Sequence, residues 1–140
     1  MDISVNYLSV VLAAVASMVV GFLWYSPVLF AKPWMKLMGY TSKTMKPDNS
    51  TMGKTYIVSF VVSMVTAYVL FHVMVLSANF FQYSALQTGL TSAFFMWLGF
   101  VAPVQLTDVL FGKKKMQLFV INTGYQLTAL LVMGLVIAMF

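Results

Sequence analysis

Six polar side chains could do chemistry inside otherwise apolar sequence: Ser26, Gln105, Asp108, Asn122, Tyr125 and Gln126. Gln105 and Asp108 are spaced to share one helical face, as are Asn122 with Tyr125 and Asn122 with Gln126. Asp108 is the one carboxylate within an apolar run. An acid in such a place is by default a functional residue. The competing reading pairs it with Lys32, Lys113, Lys114 or Lys115 and makes it a fixture of the helix end. Its position favours that second reading, because it lies roughly 5 Å, at 1.5 Å per residue, from the end of its helix at Phe111.

Other chemistries are excluded by residue supply. The chain has no cysteine, so disulfides, Cys–zinc sites and thiol catalysis are ruled out. It has no Glu or Arg and a single histidine, His72. His72 falls ~17 residues into its helix, near the membrane surface opposite Asp108, so the two cannot form a dyad. It is expected to be neutral and bonded to Gln87 or Tyr83. A histidine- or thiol-based metal site has too few ligands, and no metal or cofactor is expected. No glycine-rich phosphate loop, nucleophile elbow or carboxylate pair is present.

The elements that must hold these residues follow from composition. Of 140 residues 61% are hydrophobic and 8% charged, where soluble domains run nearer half and a quarter. Charge this sparse excludes a water-soluble surface. Four apolar runs, about 5–30, 55–79, 84–111 and 116–140, each exceed the ~18 residues that argue a membrane-spanning helix. The fold expected is all-α: a single domain over 1–140, built as a four-helix transmembrane bundle. No Lys or Arg precedes the first run, so it is expected to stay as an uncleaved helix.

The lysines set the expected orientation. Five lie in the loop 31–54 and three form the run Lys113-Lys114-Lys115, while the turn between the second and third runs carries no charge. The positive-inside rule places the lysine loops in the cytoplasm and both termini outside the cell membrane. That distribution also explains the basic pI of about 9.6 better than nucleic-acid binding does. Lys32 to Met38 mixes lysines with Trp34 and Met35 and reads as a short interfacial helix stopped by Gly39. The stretch from Thr41 to Gly53, with Pro47, reads as a flexible loop.

Depth then gathers the polar residues. Ser26, Gln105, Asp108, Asn122, Tyr125 and Gln126 fall in the cytoplasmic leaflet, as do Tyr56 and Ser59. Pro103 cannot donate a backbone hydrogen, so the Gly99 carbonyl is freed and a kink is expected. Amides, freed carbonyls and one carboxylate at one depth would line a small cavity open to the cytoplasm. Small residues recur at helical spacing on every run: Ala13, Ser17 and Gly21; Ser59, Ser63 and Ala67; Ala85, Gly89 and Ala93; Gly124 and Thr128, then Gly134 and Ala138. Such stripes let backbones approach closely where no hydrophobic effect drives helices together. Trp24, Tyr25 and Trp34 at one end, and Tyr7, Phe80, Phe81 and Tyr83 at the other, read as aromatic belts. Gly21-Phe22…Pro27 echoes Gly99-Phe100…Pro103, a weak trace of a duplicated hairpin.

The stretch Gly21-Phe22-Leu23-Trp24-Tyr25-Ser26-Pro27-Val28-Leu29-Phe30-Ala31-Lys32-Pro33-Trp34-Met35-Lys36-Leu37-Met38-Gly39 resembles the signature of a prokaryotic family of small membrane proteins catalogued as domain of unknown function 1761. Trp97-Leu98-Gly99-Phe100-Val101-Ala102-Pro103, Leu110-Phe111 and Ile121-Asn122-Thr123-Gly124-Tyr125 resemble its later motifs. Ala31 stands where Gly is expected and Gln126 where His is expected, and the second departure weakens proton transfer there. The resemblance implies a four-helix integral membrane protein and supplies no reaction. It marks Trp24, Tyr25, Pro27, Trp34 and Pro103 as motif residues.

Three classes of function fit. A non-enzymatic membrane protein would use the polar layer for binding or assembly. A small transporter or channel would use it as a solute or ion site. A lipid-acting enzyme fits least, for want of an acid–base pair. Small multidrug transporters match in size, but the mid-membrane Glu of their proton-coupled exchange is missing. The lipid bilayer is the expected partner, together with a second copy of the chain, most simply as a dimer. The orientation predicts that alkaline phosphatase fused after Phe140 is active and that a cytoplasm-dependent reporter fused there is silent; the opposite pattern overturns it.

Overall fold

The computed structural model describes residues 4–41, 43–44 and 49–140, and all regular structure among them is helical. Helix α1 spans Tyr7–Trp24, α2 Ala31–Met38, α3 Asn49–Phe81, α4 Ala85–Met96, α5 Ala102–Phe111 and α6 Met116–Met139. A π-helical turn, Trp97–Val101, joins α4 to α5. Four helical stretches are long and apolar enough to cross a membrane: Tyr7–Trp24, Ser50–Phe81, Ala85–Phe111 and Met116–Met139. The chain is thus an all-α, four-span bundle with a short fifth segment, α2, after the first span.

Local chemistry explains where the elements stop. The first helix ends at Trp24 rather than continuing to Phe30. Pro27 disfavours helical geometry at Ser26 and has no hydrogen for the Leu23 carbonyl. That carbonyl accepts instead from Ser26 Oγ at 2.7 Å and Ser26 N at 3.2 Å. Pro33 is tolerated in the first turn of α2, where its N–H would have had no helical partner. Gly39 closes α2 in the left-handed region at φ 75°, and Tyr40 N bonds back to the Met35 carbonyl at 3.0 Å. The expected loop 41–53 is shorter than its polarity implied, because α3 already begins at Asn49; residues 42 and 45–48 lie outside the described residues. Ser84 opens α4 with a capping box: its hydroxyl accepts from Gln87 N at 3.3 Å, and Gln87 Oε1 accepts from Ser84 N at 3.3 Å.

The two ends of the bundle differ. At one end Asn6 Nδ2 donates to the Phe140 carbonyl at 2.8 Å, which ties the start of α1 to the end of α6. At the other end lie the described lysines, in α2, in the segment after it, at the start of α3 and in the α5–α6 turn. The apolar core occupies the half nearer the termini: Val10, Ala13, Leu70, Phe71, Met74, Ala93, Leu130, Met133 and Ile137 are buried there. Helix α6 is the central element, packed against both α1 and α4.

Small residues make that half close-fitting. Gly89 of α4 and Gly134 of α6 face each other so nearly that a Cβ on Gly134 would lie 2.5 Å from the Gly89 carbonyl oxygen, and one on Gly89 would strike the Gly134 carbonyl. Backbones in such contact gain dispersion energy that side chains would forbid. Gly134→Val is expected to lower stability by about 1–3 kcal/mol, the range for overpacking a fitted core. Gly99→Ala, where an added Cβ meets nothing within 4 Å, should stay within about 0.5 kcal/mol of wild type. Reversible unfolding in mixed micelles measures both.

Candidate functional site

The half nearer the lysines is built differently. Large aromatic side chains, not glycine pairs, separate its helices. The Trp24 ring lies over Gly124, and a Cβ there would come within 3.2 Å of it. Trp24 Nε1 donates to the Ile121 carbonyl at 3.0 Å. Tyr125 lies over Gly21 in the same way, its hydroxyl oxygen 3.2 Å from where a Cβ would stand. Trp97 Nε1 donates to the Thr123 carbonyl at 3.0 Å and reaches Thr123 Oγ1 at 3.1 Å. These indole donors bridge to α6, and each finds the acceptor that a buried indole requires.

The π turn orients α5. The irregularity expected at Pro103 is taken up one turn earlier, over Trp97–Val101. Ala102 N bonds the Trp97 carbonyl, a five-residue step that accommodates the proline. One extra residue turns the face that follows by ~100° relative to an uninterrupted helix. Trp97, at the start of the turn, meets Thr123, and beyond it Gln105 and Asp108 face the space beside α6.

That space is a cavity of about 630 Å³. Of the six candidate residues, Gln105, Asp108, Asn122, Tyr125 and Gln126 line it. The motif residues Tyr25 and Trp34 complete its wall, with Thr55 and Ser59 from α3 and Lys114 from the α5–α6 turn. Tyr25 OH donates to Asn122 Oδ1 at 3.0 Å. The Tyr25 ring stands edge-on to Trp34, with centroids 5.5 Å apart, and to Tyr125 at 5.3 Å. Gln105 Oε1 is buried and has no hydrogen-bond partner. A buried acceptor left open is costly unless water or a ligand fills it.

Asp108 is held by Lys114, with Nζ donating to Oδ2 at 2.6 Å. Both side chains stay accessible, 64% for Asp108 and 44% for Lys114. The pair therefore contributes little to stability and can exchange partners. The residue after Gly112, Lys113, takes the left-handed conformation at φ 51°. Lys114 N then bonds back to the Val109 carbonyl at 3.0 Å, which closes the turn that brings Lys114 beneath Asp108.

Two expected placements change. Ser26 lies outside the cavity wall; its hydroxyl is spent on the Leu23 carbonyl, and its own carbonyl accepts from Leu29 N and Ala31 N at 3.1 Å each. It builds the turn that carries Tyr25. His72 bonds neither Gln87 nor Tyr83. Its Nδ1 donates to the Tyr68 carbonyl at 2.8 Å, the acceptor one turn back on its own helix, while Gln87 is committed to Ser84. Pro27 and Pro103 act through the backbone. Thr55, Met38 and Phe119 line the cavity without having been singled out by sequence. The spacing of Thr55 from Ser59, one helical turn, was the available signal for the first; the two apolar residues gave none.

The sequence profile of a family described as protein of unknown function (DUF1761) matches residues 8–138. No curated protein and no solved structure matches significantly. The match covers nearly the whole chain, so the chain belongs to this family.

The bond between Tyr25 and Asn122 joins α6 to the turn after α1. A double-mutant cycle of Tyr25→Phe and Asn122→Leu is expected to give a coupling of about 1 kcal/mol in unfolding free energy, the net worth of one such bond. A coupling near zero would show that α6 is held there by ring packing alone.

Proposed function

We propose that this member of the DUF1761 family is a non-enzymatic multi-pass membrane protein that binds a polar ligand in the cavity at its lysine-rich end, with that end in the cytoplasm. One observation carries the reading. Five polar side chains from α5 and α6 surround an open space of about 630 Å³ with Tyr25 and Trp34, instead of closing on one another as a hydrogen-bonded seam. The size, the aromatic walls and the few convergent polar groups are those of ligand sites in general.

Binding is favoured over conduction by the opposite half of the bundle. Leu70, Leu130 and Met133 are buried there, and the Gly89–Gly134 contact leaves no room between α4 and α6. A solute entering from the lysine end meets this closed core. Binding is favoured over acid–base catalysis because Asp108, the carboxylate of the wall, is already engaged by Lys114. The cytoplasmic placement rests on the lysines and the positive-inside rule.

Absence of native cysteine makes labelling a clean test. In oriented vesicles, Gln126→Cys is expected to react with a membrane-impermeant maleimide applied to the cytoplasmic face. Leu130→Cys, one turn deeper and 3% exposed in the native side chain, is expected to stay unreactive. A Gln126→Cys protein that is folded yet unreactive from both faces removes the open cavity. Reaction from the outer face alone reverses the orientation.

A further inference from the structure

We infer that the occupant of the cavity is a zwitterionic amphiphile, with an ammonium-and-phosphate headgroup in the cavity and its chain in the groove that continues from it between α1, α3 and α6. This rests on the binding reading above and names the class of ligand.

The cavity wall carries both charges that such a headgroup needs. Asp108 and Lys114 line the same space, and both are accessible while paired. A zwitterion can replace this single ion pair with two, its ammonium on Asp108 and its phosphate on Lys114, and leave no charge unmatched. A ligand of one net charge would satisfy one partner and leave the other to solvent, gaining one ion pair where the zwitterion gains two. The aromatic residues favour the same orientation. Tyr25, Trp34 and Tyr125 form a connected cluster on the wall, and aromatic faces attract ammonium groups.

The chain has somewhere to go. Ser59, Tyr125 and Gln126 line the cavity and also a deeper groove of about 280 Å³ that reaches Met133. From Gln126 to Met133 along α6 is about 10 Å at 1.5 Å per residue. Two of the hydroxyls in this groove are already spent on the backbone: Ser17 Oγ donates to the Ala14 carbonyl and Thr66 Oγ1 to the Val62 carbonyl, each at 3.0 Å. Val58 and Val62 edge the groove and are 61% and 58% exposed, so it opens sideways, toward the chains of the surrounding lipid. A water-soluble solute would have no use for that opening, whereas an amphiphile would enter through it with its headgroup already at interface depth.

Native mass spectrometry tests this with three lipids of identical chains offered together: phosphatidylethanolamine, phosphatidylglycerol and a monoglucosyl diacylglycerol. The phosphatidylethanolamine adduct is expected to exceed each of the others by about fivefold, the worth of one exposed cation–π or charge-assisted contact. Asp108→Asn is expected to bring it down to the phosphatidylglycerol level. Val104→Ala, on the outer face at 65% exposure, should leave the ratio as it was. Helical content by circular dichroism verifies that each variant is folded. If phosphatidylglycerol or the glucosyl lipid dominates and that preference is lost in Gln126→Leu, the headgroup class is overturned and the cavity stands as a site. If all three bind equally and neither Asp108→Asn nor Gln126→Leu matters, the class is overturned too. The cysteine labelling above then reports separately whether the cavity is open.

Discussion

How closely α6 can approach its neighbours governs the rest of this structure. In water, burial of apolar surface would pull the helices together along their whole length. In lipid that force is weak, and contact is decided by which side chains stand between the backbones. Toward the termini the intervening residues are Gly89, Gly134 and Ala93, and the carbonyls almost meet the opposing Cα atoms. Toward the lysines they are Trp24, Trp97, Tyr25 and Tyr125, whose rings pack between α6 and its neighbours. The bundle is therefore packed through small residues at one end and through aromatic ones at the other. The cavity lies at the aromatic end.

The polar groups follow from the same geometry. Tyrosine and tryptophan are large side chains that also carry a hydrogen-bond donor, so the rings of Trp24, Trp97 and Tyr25 both fill space between helices and tie them. The indoles of Trp24 and Trp97 are satisfied by carbonyl groups of α6, and the Tyr25 hydroxyl by Asn122. The amides of Gln105 and Gln126 are left to face the space so created. The two proline signals serve the same end by opposite means. Pro27 ends a helix and turns Tyr25 inward. Pro103 is absorbed by a π turn that lets the helix continue with a rotated face. Similar local sequence, Gly-Phe followed by proline, thus gives a helix end in one place and a register shift in another. The echo between the two halves does not extend to their conformations.

Much of this was legible in the residues alone. The four apolar runs, the sparse charge and the placement of lysines follow from transfer free energies, which act residue by residue and need no knowledge of contacts. The small-residue stripes named the surfaces that meet, and Gly89 and Gly134 were both among them. Depth arithmetic placed Gln105, Asp108, Asn122, Tyr125 and Gln126 in one layer, because rise per residue is fixed by the helix. It also put Ser26 in that layer, but Ser26 does not line the cavity. Depth specifies height along the bundle and says nothing of direction around it. The hydroxyl of Ser26 had a nearer acceptor on its own turn. His72 was misplaced for the same reason, since an i−4 carbonyl outcompetes a partner across the bundle.

The sequence by itself determined the class of the molecule, its number of spans, its division into a lysine-bearing end and an end without lysine, and the kinds of polar group available at the first. Those properties are sums over single residues and their order. Tertiary structure alone decided that the polar layer is a cavity and not a seam, that Lys114 is the partner of Asp108, and that a side groove continues from the cavity toward the bundle's middle. Each of these depends on the distance and rotation between helices. A single inserted residue in a π turn, or one indole over one glycine, changes that distance or rotation without altering hydropathy, charge or helical periodicity enough to be seen along the chain.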